Sequence, residues 1–183
     1  MLLARQALST ADTLEARNAL HQALPELHVL RTIPAHSGGA PGVAVSPDGK
    51  RLASTGVDNT VKIWETASGR LLLTLPGGEG GVGFDVVYSP DGTRLAATWP
   101  SEVILWDAES GERLFVLPGV TDGTVRRLDF NPDGKRLAVA SMDGLPRVWD
   151  LTAQAELFSL VGHDQYCEAI ATAPMANGWP PAM

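Results

Sequence analysis

Short apolar segments alternate with compact polar turns along most of the chain, and the alternation recurs at about the length of one small β-unit. Ser46-Pro47-Asp48-Gly49-Lys50-Arg51-Leu52-Ala53 returns as Ser89-Pro90-Asp91-Gly92-Thr93-Arg94-Leu95-Ala96, and again as Asn131-Pro132-Asp133-Gly134-Lys135-Arg136-Leu137-Ala138. Ser46 to Ser89 is 43 residues and Ser89 to Asn131 is 42. A second marker keeps step: Trp64-Glu65, Trp106-Asp107 and Trp149-Asp150. Before each Pro-Asp-Gly lies an apolar strand, such as Val86-Val87-Tyr88 or Val125–Phe130. Proline presets φ, aspartate bonds its own backbone, and glycine accepts the positive φ that closes a hairpin. Arg-Leu-Ala opens a second strand, and Val61–Trp64, Val103–Trp106 and Arg147–Trp149 form a third. After a polar turn, a fourth strand follows at Leu71–Leu75, Leu114–Leu117 and Glu156–Leu160. No helical period fits between these markers.

The spacing, the Pro-Asp-Gly hairpins and the Trp-Asp endings resemble the WD-repeat (WD40) β-propeller family, in its bacterial form. The resemblance covers about residues 28–173. Ala35-His36 and Gly162-His163 stand where that family places a Gly-His pair, each ten residues ahead of the Ser-Pro position or its remnant. The implied fold is all-β: three complete four-stranded blades at about 40–75, 82–117 and 124–160, with an incomplete fourth from 162. Val29–Ile33 resembles a lone outer strand and Cys167–Thr172 a lone inner one. Residues 174–183 form an irregular tail.

Blades of this family often carry a buried hydrogen-bonded tetrad of His, Ser or Thr, Asp and Trp. By alignment, the first blade supplies His36, Ser54, Asp58 and Trp64. The second has Glu79, Ala97, Pro100 and Trp106 at those places, and the third has Thr121, Val139, Asp143 and Trp149. The resemblance therefore implies one complete network and two blades that rely on apolar packing, since a half-satisfied buried network is worse than an apolar one. Closed propellers use roughly 4–8 blades, so three do not close a ring. The chain is expected either to be a fragment of a longer propeller or to complete the ring by self-association.

Residues 1–27 leave the repeat. Asp12 and Glu15 have the spacing of a helix N-cap and its partner, Thr13–Leu24 reads as a short α-helix, and Pro25 ends it. This leader either packs on the propeller rim or is the remnant of an upstream domain. In bacterial regulators with such a junction, a nucleotide-hydrolysing switch or a kinase precedes a WD-repeat sensor.

Composition narrows the partners. The chain has 183 residues, 44% hydrophobic and 19% charged, with 14 Lys plus Arg against 21 Asp plus Glu, so its formal charge is −7. Such a surface repels phosphate backbones, which argues against nucleic acid. Cys167 is the single cysteine, so no internal disulfide forms. A charge at Arg5 precedes any stretch of signal-peptide length, and no window has the apolar length of a membrane span. The expectation is a cytoplasmic protein with no membrane contact.

Three patterns imitate chemistry. Gly78–Gly83 fits a dinucleotide fingerprint, but a strand follows it where a helix is needed, and Glu79 repels phosphate, which leaves a connector between blades. His36, Ser54 and Asp58 imitate a catalytic triad in residue type, without a nucleophile elbow. His21, His28, His36 and His163 lack metal-ligand spacing. No catalytic residue, cofactor or metal is expected, and the chain reads as a non-catalytic protein-interaction scaffold. Trp99 and Pro100, at a turn one residue shorter than its neighbours, are interaction candidates: Trp99 either stands exposed as an anchor for a partner or packs across the central channel.

Overall fold

The structure is a computed structural model and describes residues 32–117, 124–162, 166–167 and 169–172. The chain divides into two compact units, Met1–Pro34 and Ala35–Met183. All described strands belong to the second. The helix expected over Thr13–Leu24 lies outside the described residues, as does most of Val29–Ile33, of which residues 32 and 33 carry no strand.

Twelve strands build three antiparallel four-stranded sheets, each in simple sequence order. The first holds β1 (Val43–Val45), β2 (Arg51–Thr55), β3 (Thr60–Glu65) and β4 (Leu71–Pro76). The second holds β5 (Val86–Tyr88), β6 (Arg94–Thr98), β7 (Val103–Asp107) and β8 (Arg113–Leu117). The third holds β9 (Val125–Phe130), β10 (Arg136–Ser141), β11 (Arg147–Asp150) and β12 (Ala155–Ser159). Phe84 and Asp85 lie just before β5. Their backbones still bond to β6, Phe84 N–H to the Thr98 carbonyl at 3.1 Å and Thr98 N–H to the Asp85 carbonyl at 3.0 Å.

The repeat of sequence is a repeat of hydrogen bonds. In the first hairpin, Gly49 N–H donates to the Ser46 carbonyl at 2.8 Å, and Ser46 Oγ donates to Asp48 Oδ1 at 2.6 Å. Ser89, Asp91 and Gly92 repeat this set, and Asn131 Oδ1 takes over by accepting from Arg136 N–H at 2.8 Å. Gly49, Gly92 and Gly134 all have φ near 70°, where a side chain is strained. A register shift falls just before each repeat-end tryptophan, between Ile63 and Trp64, Leu105 and Trp106, and Val148 and Trp149. The extra residue lies in the fourth strand each time, at Leu72, Leu114 and Leu157.

Successive sheets pack face to face. One apolar seam joins Ala53, Ile63 and Leu75 of the first sheet to Val86, Leu95, Ala97 and Trp106 of the second. The next joins Ala96, Leu105 and Leu117 of the second sheet to Leu128, Phe130, Leu137 and Trp149 of the third. Arginines that follow the hairpins cross both seams. Arg51 Nη1 donates to the Ala108 carbonyl at 2.7 Å, and Arg94 Nη2 donates to the Gly134 carbonyl at 2.6 Å. On the first blade's opposite face Val43 is 64% and Val45 57% exposed, whereas Val86 and Leu128, at the same repeat position as Val43, are 1% and 4% exposed. Beyond the third blade, the Cys167–Thr172 segment carries no strand among its described residues. It docks by Cys167 N–H on the Ser141 carbonyl at 3.2 Å and by Thr172 Oγ1 on Asp129 Oδ2 at 2.8 Å.

Candidate functional site

The buried polar groups of the first blade form one connected relay. Trp64 Nε1–H donates to Ser54 Oγ at 3.0 Å, and Ser54 Oγ lies 2.8 Å from His36 Nε2. His36 Nδ1 lies 2.8 Å from Asp58 Oδ1. With the His36 proton on Nδ1, every member has a partner: indole N–H to hydroxyl, hydroxyl to Nε2, and Nδ1–H to carboxylate. Two residues that the alignment did not single out complete it. Thr60 Oγ1 donates to Asp58 Oδ1 at 2.7 Å, and Lys62 Nζ sits 3.5 Å from Asp58 Oδ2 while donating to the Ala35 carbonyl at 2.6 Å. Their signal was the strand alternation, which puts Thr60 and Lys62 on one face of β3. Burial alone would raise the Asp58 pKa. The hydrogen bonds from Thr60 and His36 and the charges of His36 and Lys62 outweigh it and hold the carboxyl well below the usual range.

Gly56 makes room for this relay, since a Cβ there would collide with the His36 ring and the Asp58 carboxylate. The set resembles a catalytic triad only in residue type. Ser54 is 3% exposed, the His36 side chain is fully buried, and the serine oxygen already receives the Trp64 N–H. The hydroxyl holds an indole in place and has no room for a substrate carbonyl.

The other two blades lack the acceptor. Trp106 pairs with Leu95 and Trp149 with Leu137, as Trp64 does with Leu52. Two residues along the same strand face, Ser54 is replaced by Ala97 and Val139. The Nε1 atoms of Trp106 and Trp149 are consequently buried without a hydrogen-bond partner among the described residues. In the third blade Asp143 is bound by Arg147 at 2.7 Å instead of by a histidine.

Of the two expectations for Trp99, the exposed anchor is excluded, because the residue is fully buried. Its ring meets Trp106 edge-on at 5.7 Å, and its Nε1–H donates 2.7 Å to Asn59 Oδ1 in the first blade. It fills the seam between two blades. The physical reason is the acceptor on Asn59, forty residues away in sequence, which satisfies the indole N–H inside the seam. Pro100 is half-buried, and its carbonyl accepts from Val125 N–H at 3.2 Å. Gly78–Gly83 carries no helix and lies between β4 and β5.

Among the described residues no group of three His, Cys, Asp or Glu is placed to hold a metal ion. At the inner edge, where β1, β5 and β9 adjoin, Pro41, Phe84, Arg126 and Arg127 wall a cavity. Asp85 beside it is pushed up by burial, a pull that the Leu128 N–H bond and the Arg127 charge oppose. Nothing in the residue pattern alone marked this cavity, because its walls come from three repeats.

Comparison with known proteins fits this geometry. The family model for the WD domain, G-beta repeat, matches residues 27–65 and 111–150. Residues 27–65 and 111–150 are thus WD40 repeats. The chain is similar to an uncharacterized WD repeat-containing protein of Synechocystis sp., 42% identical over 67 residues, which is 36% of this chain and 19% of that protein. The small ribosomal subunit protein RACK1 of Medicago sativa is 36% identical over 72 residues, 39% of this chain and 22% of that one. A pre-mRNA-splicing factor of Yarrowia lipolytica is 38% identical over 72 residues, 37% and 16% of the two chains. The matched part is thus about a fifth or less of these relatives' length. No helix among the described residues is long and apolar enough to cross a membrane.

Proposed function

We propose that the chain is a non-catalytic scaffold that binds other proteins through the rims and loops of its WD40 blades. The observation that carries this reading is the pair of rigid seams. Buried tryptophans and cross-blade arginines fix three sheets against one another, so the exposed turns are held at set positions. Residues that imitate a catalytic set are consumed in holding Trp64. Affinity should come from a few turn residues, as at most protein interfaces.

The test exchanges exposed turn residues, such as Lys50, Val57 and Glu109, for serine in the folded chain. Stoichiometric co-purification of defined proteins, lost in the turn variants and kept when Ser54 is replaced by alanine in a still-folded chain, is the expected result. A turnover activity that disappears with Ser54→Ala overturns the reading.

At the level of partners, the face bearing exposed Val43 and Val45 favours self-association, with a second copy covering apolar surface that the inner blades bury. On the third blade, the Cys167–Thr172 segment already takes part of the corresponding outward face, so a second copy would dock on the first blade. A molar mass by light scattering that stays at one chain across concentration removes this reading. The net charge of −7 supports a partner other than nucleic acid. With a single cysteine, a cytoplasmic setting and a bacterial signalling context fit the same picture.

A further inference from the structure

Pro41, Phe84 and Arg126 occupy one position of three successive repeats, five residues ahead of Ser46, Ser89 and Asn131. The repeat therefore brings them together along the inner edge, and with Arg127 they line an open cavity of about 270 Å³. That is small beside most pockets for drug-sized molecules, roughly 300–1,000 Å³. It suits a side chain presented by a larger partner.

The charges in it do not cancel. Arg127 Nη1 lies 3.5 Å from Asp85 Oδ1, and the second oxygen of Asp85 accepts the Leu128 N–H at 3.0 Å, which fixes the carboxylate against the wall. Arg126 has no such partner among the described residues. Its guanidinium lies 4.8 Å from the centre of the Phe84 ring, and Arg126 is partly buried. Stacking on the ring face holds the fork in one plane and leaves its in-plane N–H donors for an acceptor. Asp85 is taken up by Arg127, so the Arg126 guanidinium is the charge left for a ligand, in a chain whose total is −7. One carboxylate matches it, whereas a phosphate would bring a second negative charge towards Asp85.

We propose that this cavity binds a carboxylate side chain, glutamate or aspartate, in an acidic segment of a partner protein. The proposal rests on the scaffold reading and supplies it with a ligand class. Arg126 and Arg127 give charge-assisted hydrogen bonds, and the Phe84 ring holds the Arg126 guanidinium in place.

The probe is an acetylated, amidated peptide Ser-Gly-Glu-Glu-Gly-Ser, titrated into the folded chain by calorimetry beside its Gln-Gln counterpart and inorganic phosphate. The expected dissociation constant for the glutamate peptide is on the order of 0.1–1 mM, weakening as salt is added. The glutamine peptide and phosphate are each expected to bind at least tenfold more weakly. Arg126→Gln removes glutamate-peptide binding, Arg126→Lys retains part of it, and Arg127→Gln weakens it several-fold. Should Arg126→Gln fail to fold, Phe84→Leu, which frees the guanidinium from the ring, is expected to weaken binding several-fold in its place. Equal binding of the two peptides, phosphate binding as tight as the glutamate peptide, or glutamate binding unmoved by these variants overturns the proposal. None of those results touches the scaffold reading, which stands or falls on the turn variants.

Discussion

The first and second blades carry the same tryptophan in the same register and solve its burial by different means. In the first, Trp64 hands its N–H to Ser54, and the bond continues through His36 to Asp58. In the second, Ala97 offers no acceptor, and Trp106 is packed instead against the edge of Trp99. The positions correspond: counted along the second strand, Trp99 stands two residues after Ala97, where Gly56 stands two after Ser54. Glycine in the first blade leaves the space that His36 fills, and an indole in the second fills that space itself. One site on the blade thus holds either a polar relay or a second aromatic ring. The two do not mix, because a lone histidine beside Ala97 would be buried without a partner.

The comparison breaks most visibly at Trp106. Trp106→Ala removes a fully buried indole whose own N–H has no partner among the described residues, so packing alone holds it, and a loss of about 3–5 kcal/mol is expected in urea unfolding. A loss below about 1 kcal/mol would mean that the second blade is not held by this contact. Ser54→Ala comes next. It leaves the Trp64 N–H and His36 Nε2 without their buried partner, at a cost of about 1–3 kcal/mol, while Ala97→Val acts instead by overpacking, since nothing there is hydrogen-bonded.

A finer test replaces each tryptophan by phenylalanine. Trp64→Phe breaks a bond and Trp106→Phe breaks none, so the first should be the more destabilising by about 1 kcal/mol. Ala97→Ser supplies the missing acceptor, and in that background Trp106→Phe should become costlier. A double-mutant cycle with no coupling between Ala97→Ser and Trp106→Phe would show that the acceptor position alone does not define the relay.

The smallest effect is the dependence on pH. The Asp58 carboxyl titrates lower in the folded chain than its unfolded value of about 3.9. Its contribution is therefore complete above that value and is lost as pH falls from about 4 through the folded value. Relative to Asp58→Asn, the native chain should keep a constant advantage near neutral pH that fades only below about pH 5. Denaturation curves at a series of pH values measure it, and an advantage that faded near neutral pH would assign the relay's charge elsewhere.

What the residues made legible follows the range of the interactions. The hairpins close through bonds two to five residues apart, such as Ser46 to Asp48 and Arg51 to Ser46, so the repeat marked strands and turns almost residue for residue. The relay was legible because its four members recur in a known family at known offsets. Trp99 was not, because what buries it is Asn59 in the preceding blade, and a tryptophan beside a proline in a short turn looks the same whether or not a distant acceptor is present. The arginine-lined cavity was hidden for a related reason. Pro41, Phe84 and Arg126 differ in chemistry, and only their shared repeat position, seen once the sheets are stacked, makes them neighbours.

The arginines that cross the seams bear on how such a chain changes its number of blades. Arg51 and Arg94 each reach out to a backbone carbonyl, Ala108 in one case and Gly134 in the other. Every residue has a carbonyl, so these bonds ask for no matching side chain, although Arg51 also meets Glu109 at 3.2 Å. A duplicated stretch of gene that encodes one blade therefore carries its own fastening, and the unit it lands beside accepts it without prior adaptation.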